Sequence, residues 1–311
     1  MTGLRTALHE YLALRRSLGF KLQHAGVALP DFVTFLERHR ASFVTSHLAL
    51  AWAQQPATVQ PDTWARRLSF VRGFARFRSA TDPRTEIPPD TLLPHPTRRA
   101  QPYLYSAEEI RRLLRATLAW SGWAKLRPWT YYCLFGLLSV SGLRLREARN
   151  LQLLDVDLGT GVLTIRGTKF GKSRLVPIHA STCHVLAEYL ARREQHWAGR
   201  SVSSYLFVTD RGNRLDIADI RKTFHAVSRQ VGLRGLAASH GPRLHDFRHR
   251  FAVMTLVRWY RAGHDAERLL PVLATYLGHV NVRDTFWYLS AWPELMHEAR
   301  HRLERSWEQR R

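Results

Sequence analysis

One stretch of this chain, residues 151–179, alternates apolar and polar residues in short runs set apart by glycines. The segments on either side carry their apolar residues at three- and four-residue steps instead. That change of period is the strongest constraint on the fold. It predicts three strands, Leu151–Leu158, Gly161–Arg166 and Arg174–His179. A Gly-Thr-Gly turn and the tip Lys169-Phe170-Gly171-Lys172 join them into an antiparallel meander. Everything else reads as helix, so the expected fold is mainly α with a small antiparallel β-meander (α+β).

Upstream, apolar spacing predicts helices over 4–19, 30–40, 46–54 and 62–78. The last carries Trp64, Leu68 and Val71 on one row and Phe70, Phe74 and Phe77 on another. Arg66, Arg67, Arg72, Arg76 and Arg78 fill its other positions. Residues 1–80 therefore form an expected helical bundle with a strongly basic last helix, a candidate phosphate-binding face. Residues 81–102 hold six prolines with Arg98 and Arg99 side by side, and read as a linker. Residues 103–311 form the second domain. It opens with Ser106-Ala-Glu-Glu109, the pattern of a capping box. A buried helix is expected over 128–140, stopping at Ser141-Gly142 and restarting so that Arg144 stands at a helix-to-helix corner. Further helices are expected at 181–194, 217–231, 245–262, 266–277 and 283–288, with a last one near 293–307.

The charge balance narrows the partner. Lys and Arg number 47 against 25 Asp and Glu, a net charge of +22. Such an excess points to a polyanion, with nucleic acid ahead of an anionic membrane. On α-helical arginine rows the alternative is a solvated face; the net charge favours phosphate contacts, with Arg66, Arg72, Arg76, Lys172, Arg174 and Arg243 as candidates. Cys133 and Cys183 form no CxxC pair and read as reduced thiols. The charged N-terminus is unlike a signal peptide, and the apolar run 131–143 is too short to span a bilayer. A soluble, cytoplasmic protein with no membrane partner is expected, nucleoid-associated when bound to DNA.

Chemistry concentrates between Ser239 and Ser290. His245 and Arg248 lie three apart, on one helical face. His279 follows a glycine, and Tyr288 comes nine residues later. Cations, imidazoles and a phenol suit attack on a phosphodiester without a metal. Arg144 and Arg248 would grip the phosphorane oxygens with permanent charge. A phenol with a pKa of about 10 needs such cations, or a base, to act as a nucleophile. Lys169, at the hairpin tip, is a reasonable general acid. His245 and His279 would move protons or bond the phosphate. His245-Asp246-Phe247-Arg248-His249 echoes the HExxH zinc motif, but Asp stands for Glu, no third ligand is evident and Arg248 would repel the metal. No metal and no redox or nucleotide cofactor is expected.

In that order the residues resemble the tyrosine recombinases, the phage-integrase and Xer-like class. Ser-Gly-Leu-Arg144-Leu-Arg-Glu147 resembles the box around the first catalytic arginine, with its downstream glutamate. Thr-Lys169-Phe-Gly-Lys172-Ser-Arg174-Leu-Val-Pro177 resembles the hairpin whose first lysine is catalytic, although Phe170 stands where a glycine is common. His245-Asp-Phe-Arg248 resembles the H-x-x-R box, and Leu-Gly-His279 with Thr285 and Tyr288 the last one. The stretch between Arg248 and His279 is somewhat longer than usual, and Ser290 stands where a histidine often does.

The resemblance covers roughly 103–290 and implies a clamp around double-stranded DNA. It implies a 3′-phosphotyrosyl bond at Tyr288, a free 5′ hydroxyl, and rejoining without ATP or metal. It also implies a homotetramer on two sites, with companion recombinases in some systems. Trp292, Leu295, Met296, Leu303 and Trp307 would let the last helix dock on a neighbouring subunit, or cap its own. A type IB topoisomerase-like relaxing enzyme and a non-catalytic DNA-binding protein are the alternatives. Integration, transposition of a mobile element, cassette movement and dimer resolution all stay open as roles.

Overall fold

A computed structural model describes residues 3–55, 58–93, 101–120, 126–167, 173–238, 240–279 and 281–290, and positions 296, 297, 300, 301, 304, 307 and 308. The chain divides into two compact units, Met1–Ala100 and Gln101–Arg311.

The first unit is built from α1 (Gly3–Ser17), α2 (Ala25–Arg38), α3 (Ser46–Gln54) and α4 (Pro61–Arg78). Pro61 starts α4 at a position where a missing N–H costs nothing. Thr45 caps α3 by accepting from the Leu48 N–H, and the Glu86 carboxylate takes the Ser46 N–H at 2.7 Å. Phe32, Trp52, Val71 and Phe74 are wholly enclosed in the bundle core. The helix expected at 30–40 begins earlier, at Ala25, with Pro30 inside it. Proline forfeits one backbone bond there, yet Leu29, Phe32, Val33 and Leu36 are at most 1 % exposed. Packing overrides the breaker. The described part of the proline-rich stretch runs back over the bundle: the Glu86 N–H bonds the Val44 carbonyl, and Leu93 joins the core.

The second unit holds α5 (Ala107–Leu118), α6 (Arg127–Ser141), α7 (Leu145–Asn150), β1 (Val156–Asp157), β2 (Val162–Ile165) and β3 (Arg174–Pro177). It continues with α8 (Ala180–Trp197), α9 (Ile217–Gln230), α10 (Leu244–Arg261), α11 (Ala266–Leu277) and α12 (Arg283–Ser290). The Ser106–Glu109 capping box forms, with both reciprocal bonds present. The strands make the antiparallel meander β1-β2-β3, with Leu163 opposite both Val156 and Val176. The first strand is shorter than expected, because Leu153–Asp155 closes into a 3-10 turn after α7. The α6 helix is apolar nearly all round and runs through the core, with α5, α8 and α10 packed on it.

The expected helix at 293–307 falls partly outside the described residues, including Trp292, Leu295 and Leu303. Its described positions are helical, and Met296 and Trp307 are exposed. Among the described residues no helix is long and apolar enough to cross a membrane.

Candidate active site

Two left-handed glycines end two helices and aim their last carbonyls at one place. Gly142, at φ +61°, stops α6; a Cβ there would lie 2.6 Å from the Phe251 ring. Gly278, at φ +68°, stops α11, and its Cβ would lie 2.6 Å from an Arg174 nitrogen. Only glycine meets both demands at either point. The carbonyl ends of helices carry partial negative charge, so guanidiniums gather there.

Arg248, on α10, is 1 % exposed. Its guanidinium donates to the Gly142 carbonyl at 2.8 Å and to the Leu277 carbonyl at 2.7 Å, bridging the ends of α6 and α11. Burial, and after it the neighbouring Arg144 charge, lower its pKa to about 10, which leaves it a cation at neutral pH. Arg144 stands at the N-terminus of α7. It donates to the Gly278 carbonyl at 3.1 Å and to Glu147 at 2.9 Å, while its backbone N–H takes the other Glu147 oxygen. Burial alone would raise the Glu147 carboxyl; bonds from Arg174 and the Arg144 backbone, with both guanidinium charges, hold it low.

His245 lies one turn before Arg248 and is exposed at the rim. The surrounding protein, and then the Arg248 charge, lower its pKa. His279 follows the Gly278 turn, its Nδ1 2.7 Å from the hydroxyl of the buried Thr285. Burial, then Arg248 and Arg144, push the imidazole down to about 4. Tyr288, on α12, is 3 % exposed. Its ring stacks 6.1 Å from that of His279 and lies 5.5 Å from that of His249. Burial raises the phenol pKa, against the charge of Arg248 and a hydrogen bond from it. The phenol is therefore neutral in the free protein, beside a cation that favours losing its proton. Arg144, His245, Arg248, His279 and Tyr288 thus share one site; Lys169 and Lys172 lie outside the described residues.

Two of the expected DNA contacts are turned into the protein. Arg174 bonds Glu147 through both terminal nitrogens and the Tyr276 carbonyl through Nε, with its side chain 10 % exposed. Arg72 donates to the carbonyls of Pro88 and Pro89 and pairs with Asp90. Both find carbonyls and a carboxylate that folding delivers from distant sequence. A signal for Arg174 was available: it shares a strand face with Val176, which is buried. Arg243 caps α10 through Asp246, with half of its side chain exposed. Arg66 and Arg76 face outward. Asp246, in the zinc-like echo, is 1 % exposed and committed to Arg243, while His245 and His249 meet edge to face. Sequence reasoning treated Glu147 as part of a motif and missed it as the group to which Arg144 and Arg174 both bind.

A sequence profile described as the phage integrase family matches residues 104–294. A Sinorhizobium fredii protein that carries the name integrase/recombinase y4rB is 63 % identical, over all of both chains. Tyrosine recombinase XerC of Halalkalibacterium halodurans is 31 % identical over 78 % of this chain and 75 % of its own length. Among solved structures, the Tn1549 transposon integrase in complex with circular intermediate DNA superposes with a TM-score of 0.67 at 16 % identity, covering 96 % of this chain and 99 % of that one. A lambda integrase tetramer bound to a Holliday junction reaches 0.61 at 15 % identity, covering 92 % and 76 %. At such identities these two speak for the fold alone.

Proposed function

The chain belongs to the phage integrase family of tyrosine recombinases, and we propose that Tyr288 is the nucleophile with which it opens and reseals DNA. It is a site-specific recombinase or integrase, an enzyme that cuts and rejoins DNA strands through a tyrosine. The observation that carries the assignment of Tyr288 is its seat: a buried phenol hydrogen-bonded by a buried arginine, one ring away from His279.

In the proposed step the phenol oxygen attacks phosphorus. The Oη–P bond forms as the P–O5′ bond breaks, leaving a 3′-phosphotyrosyl link and a 5′ hydroxyl. Arg144 and Arg248 neutralise the charge that builds on the non-bridging oxygens. His279 is neutral at physiological pH, and with Nδ1 turned to Thr285 its Nε2 is left for the phosphate. His245, whose pKa burial and then the Arg248 charge lower, is assigned the role of taking the phenol proton. Lys169 supplies the proton for O5′. The reverse sequence, with a 5′ hydroxyl from a partner strand, rejoins the DNA. The substrate is double-stranded DNA, and exchange takes place between two sites held by a homotetramer.

The test uses nicked duplexes tiled across the DNA that borders the gene, in which the cut strand loses its 5′ end by diffusion. Wild type should accumulate a covalent protein–DNA species. Tyr288→Phe should bind the same duplex and form none. An adduct that survives this substitution would remove Tyr288 as the nucleophile. Exchange of labelled arms between two duplexes, without relaxation of supercoils by the monomer, separates a recombinase from a relaxing enzyme.

A further inference from the structure

We infer that Arg174 is a positioning residue that locks the two halves of the phosphate grip together, Arg144 through Glu147 on one side and the His279 turn on the other. The inference rests on the active site proposed above, and extends it to a group turned into the protein.

Glu147 is 8 % exposed and saturated: each carboxylate oxygen accepts one bond from Arg144 and one from Arg174. Arg174 Nε donates at 2.7 Å to the Tyr276 carbonyl, in the last turn of α11. The Gly278 backbone lies so close to the same guanidinium that a Cβ would collide with it. One planar fork thus spans the start of β3, the start of α7 and the turn that presents His279. A lysine could reach only part of it.

The charge count gives the arrangement its purpose. Arg144 beside Glu147 alone would be a neutral pair, with little to offer a phosphate. Arg174 matches the carboxylate, so the charge on Arg144 stays available for the substrate. Without Arg174, Glu147 would also draw the Arg144 guanidinium away from the Gly278 carbonyl. Positional slips of this order cost about 10²-fold in rate.

The experiment measures single-turnover adduct formation at saturating nicked duplex, beside duplex affinity and thermal stability. Arg174→Gln should bind DNA within about twofold of wild type and cleave roughly 10²-fold more slowly. Arg174→Lys should fall between. Glu147→Gln/Arg174→Gln should be no slower than Arg174→Gln alone, because the uncompensated carboxylate has gone. A purely structural arginine gives multiplied losses instead. Arg193→Gln, which removes another buried guanidinium on α8, controls for stability and should cleave at the wild-type rate. Wild-type cleavage by Arg174→Gln, multiplied losses in the double variant, or a defect that disappears at saturating DNA would each overturn the inference. If Arg174→Gln does not fold, Arg174→Lys decides: slower cleavage supports the inference and the wild-type rate sinks it. No adduct with the wild-type protein would instead strike the nucleophile assignment beneath it.

Discussion

Arg248 and His279 show how one enclosed cation sets the state of its neighbours. Arg248 keeps its charge at 1 % exposure because two helix-end carbonyls and a phenol receive its donors. The same charge, second to burial, helps hold the His279 imidazole near 4, against an ordinary value of 6.5. Between those values the unfolded chain binds a proton that the folded protein refuses. This contribution to stability is complete above an ordinary histidine pKa of about 6.5 and is lost as the pH falls towards the folded value of about 4. Urea denaturation of wild type and His279→Gln between about pH 7 and about pH 4.5 should show the wild type losing more stability, with a slope left in the variant from His245. Equal slopes in the two proteins would mean that His279 titrates normally. A bound phosphate reverses the sign locally: it offsets the arginines and raises both imidazoles, so DNA binding should take up protons.

Among the elements, α4 best illustrates what a row of arginines conceals. Arg67 stacks 3.7 Å above the Trp52 ring, Arg72 ties down Pro88, Pro89 and Asp90, and Arg78 pairs with Asp82. Arg66 and Arg76 are the ones left facing solvent. Arg66→Ala and Arg76→Ala should each flatten the salt dependence of DNA binding by roughly one unit of log–log slope without changing the melting temperature. Arg72→Ala should leave that slope alone and cost roughly 1–3 kcal/mol of stability in thermal or urea melts. The sequence could announce the helix and its two apolar rows, because periodicity is local. It could not say that Arg67 and Arg72 turn inward, because Trp52 comes from α3 and the Arg72 acceptors from a chain segment folded back over the bundle. The same division holds at the active site. The Ser141-Gly142 stop marked the end of α6 closely and apolar spacing the span of α11, and motif spacing named Arg144, His245, Arg248, His279 and Tyr288, which the fold gathers at one place. The Arg174–Glu147 bond and the carbonyls that hold Arg248 are tertiary events, invisible to spacing.

For the whole molecule, the net charge of +22 is a statement about association. Counterion release makes such binding weaken steeply with salt. Duplex affinity measured by fluorescence anisotropy should fall by roughly 10³-fold or more between about 50 and about 200 mM salt. A flat response would contradict a phosphate-tracking surface. The charge favours bringing DNA to the protein; on the proposed assignment the seat of Tyr288 would decide what becomes of the cut end. A phenol 3 % exposed, with imidazoles against its ring, is hard for water to approach. On the proposal that Tyr288 is the nucleophile, the 3′ phosphate would be attached there, where solvent is a poor competitor for it and a strand end delivered along the duplex is a good one. On that proposal the burial that keeps the phenol protonated before cleavage would also protect the linkage from hydrolysis, so a broken strand could wait for its new partner.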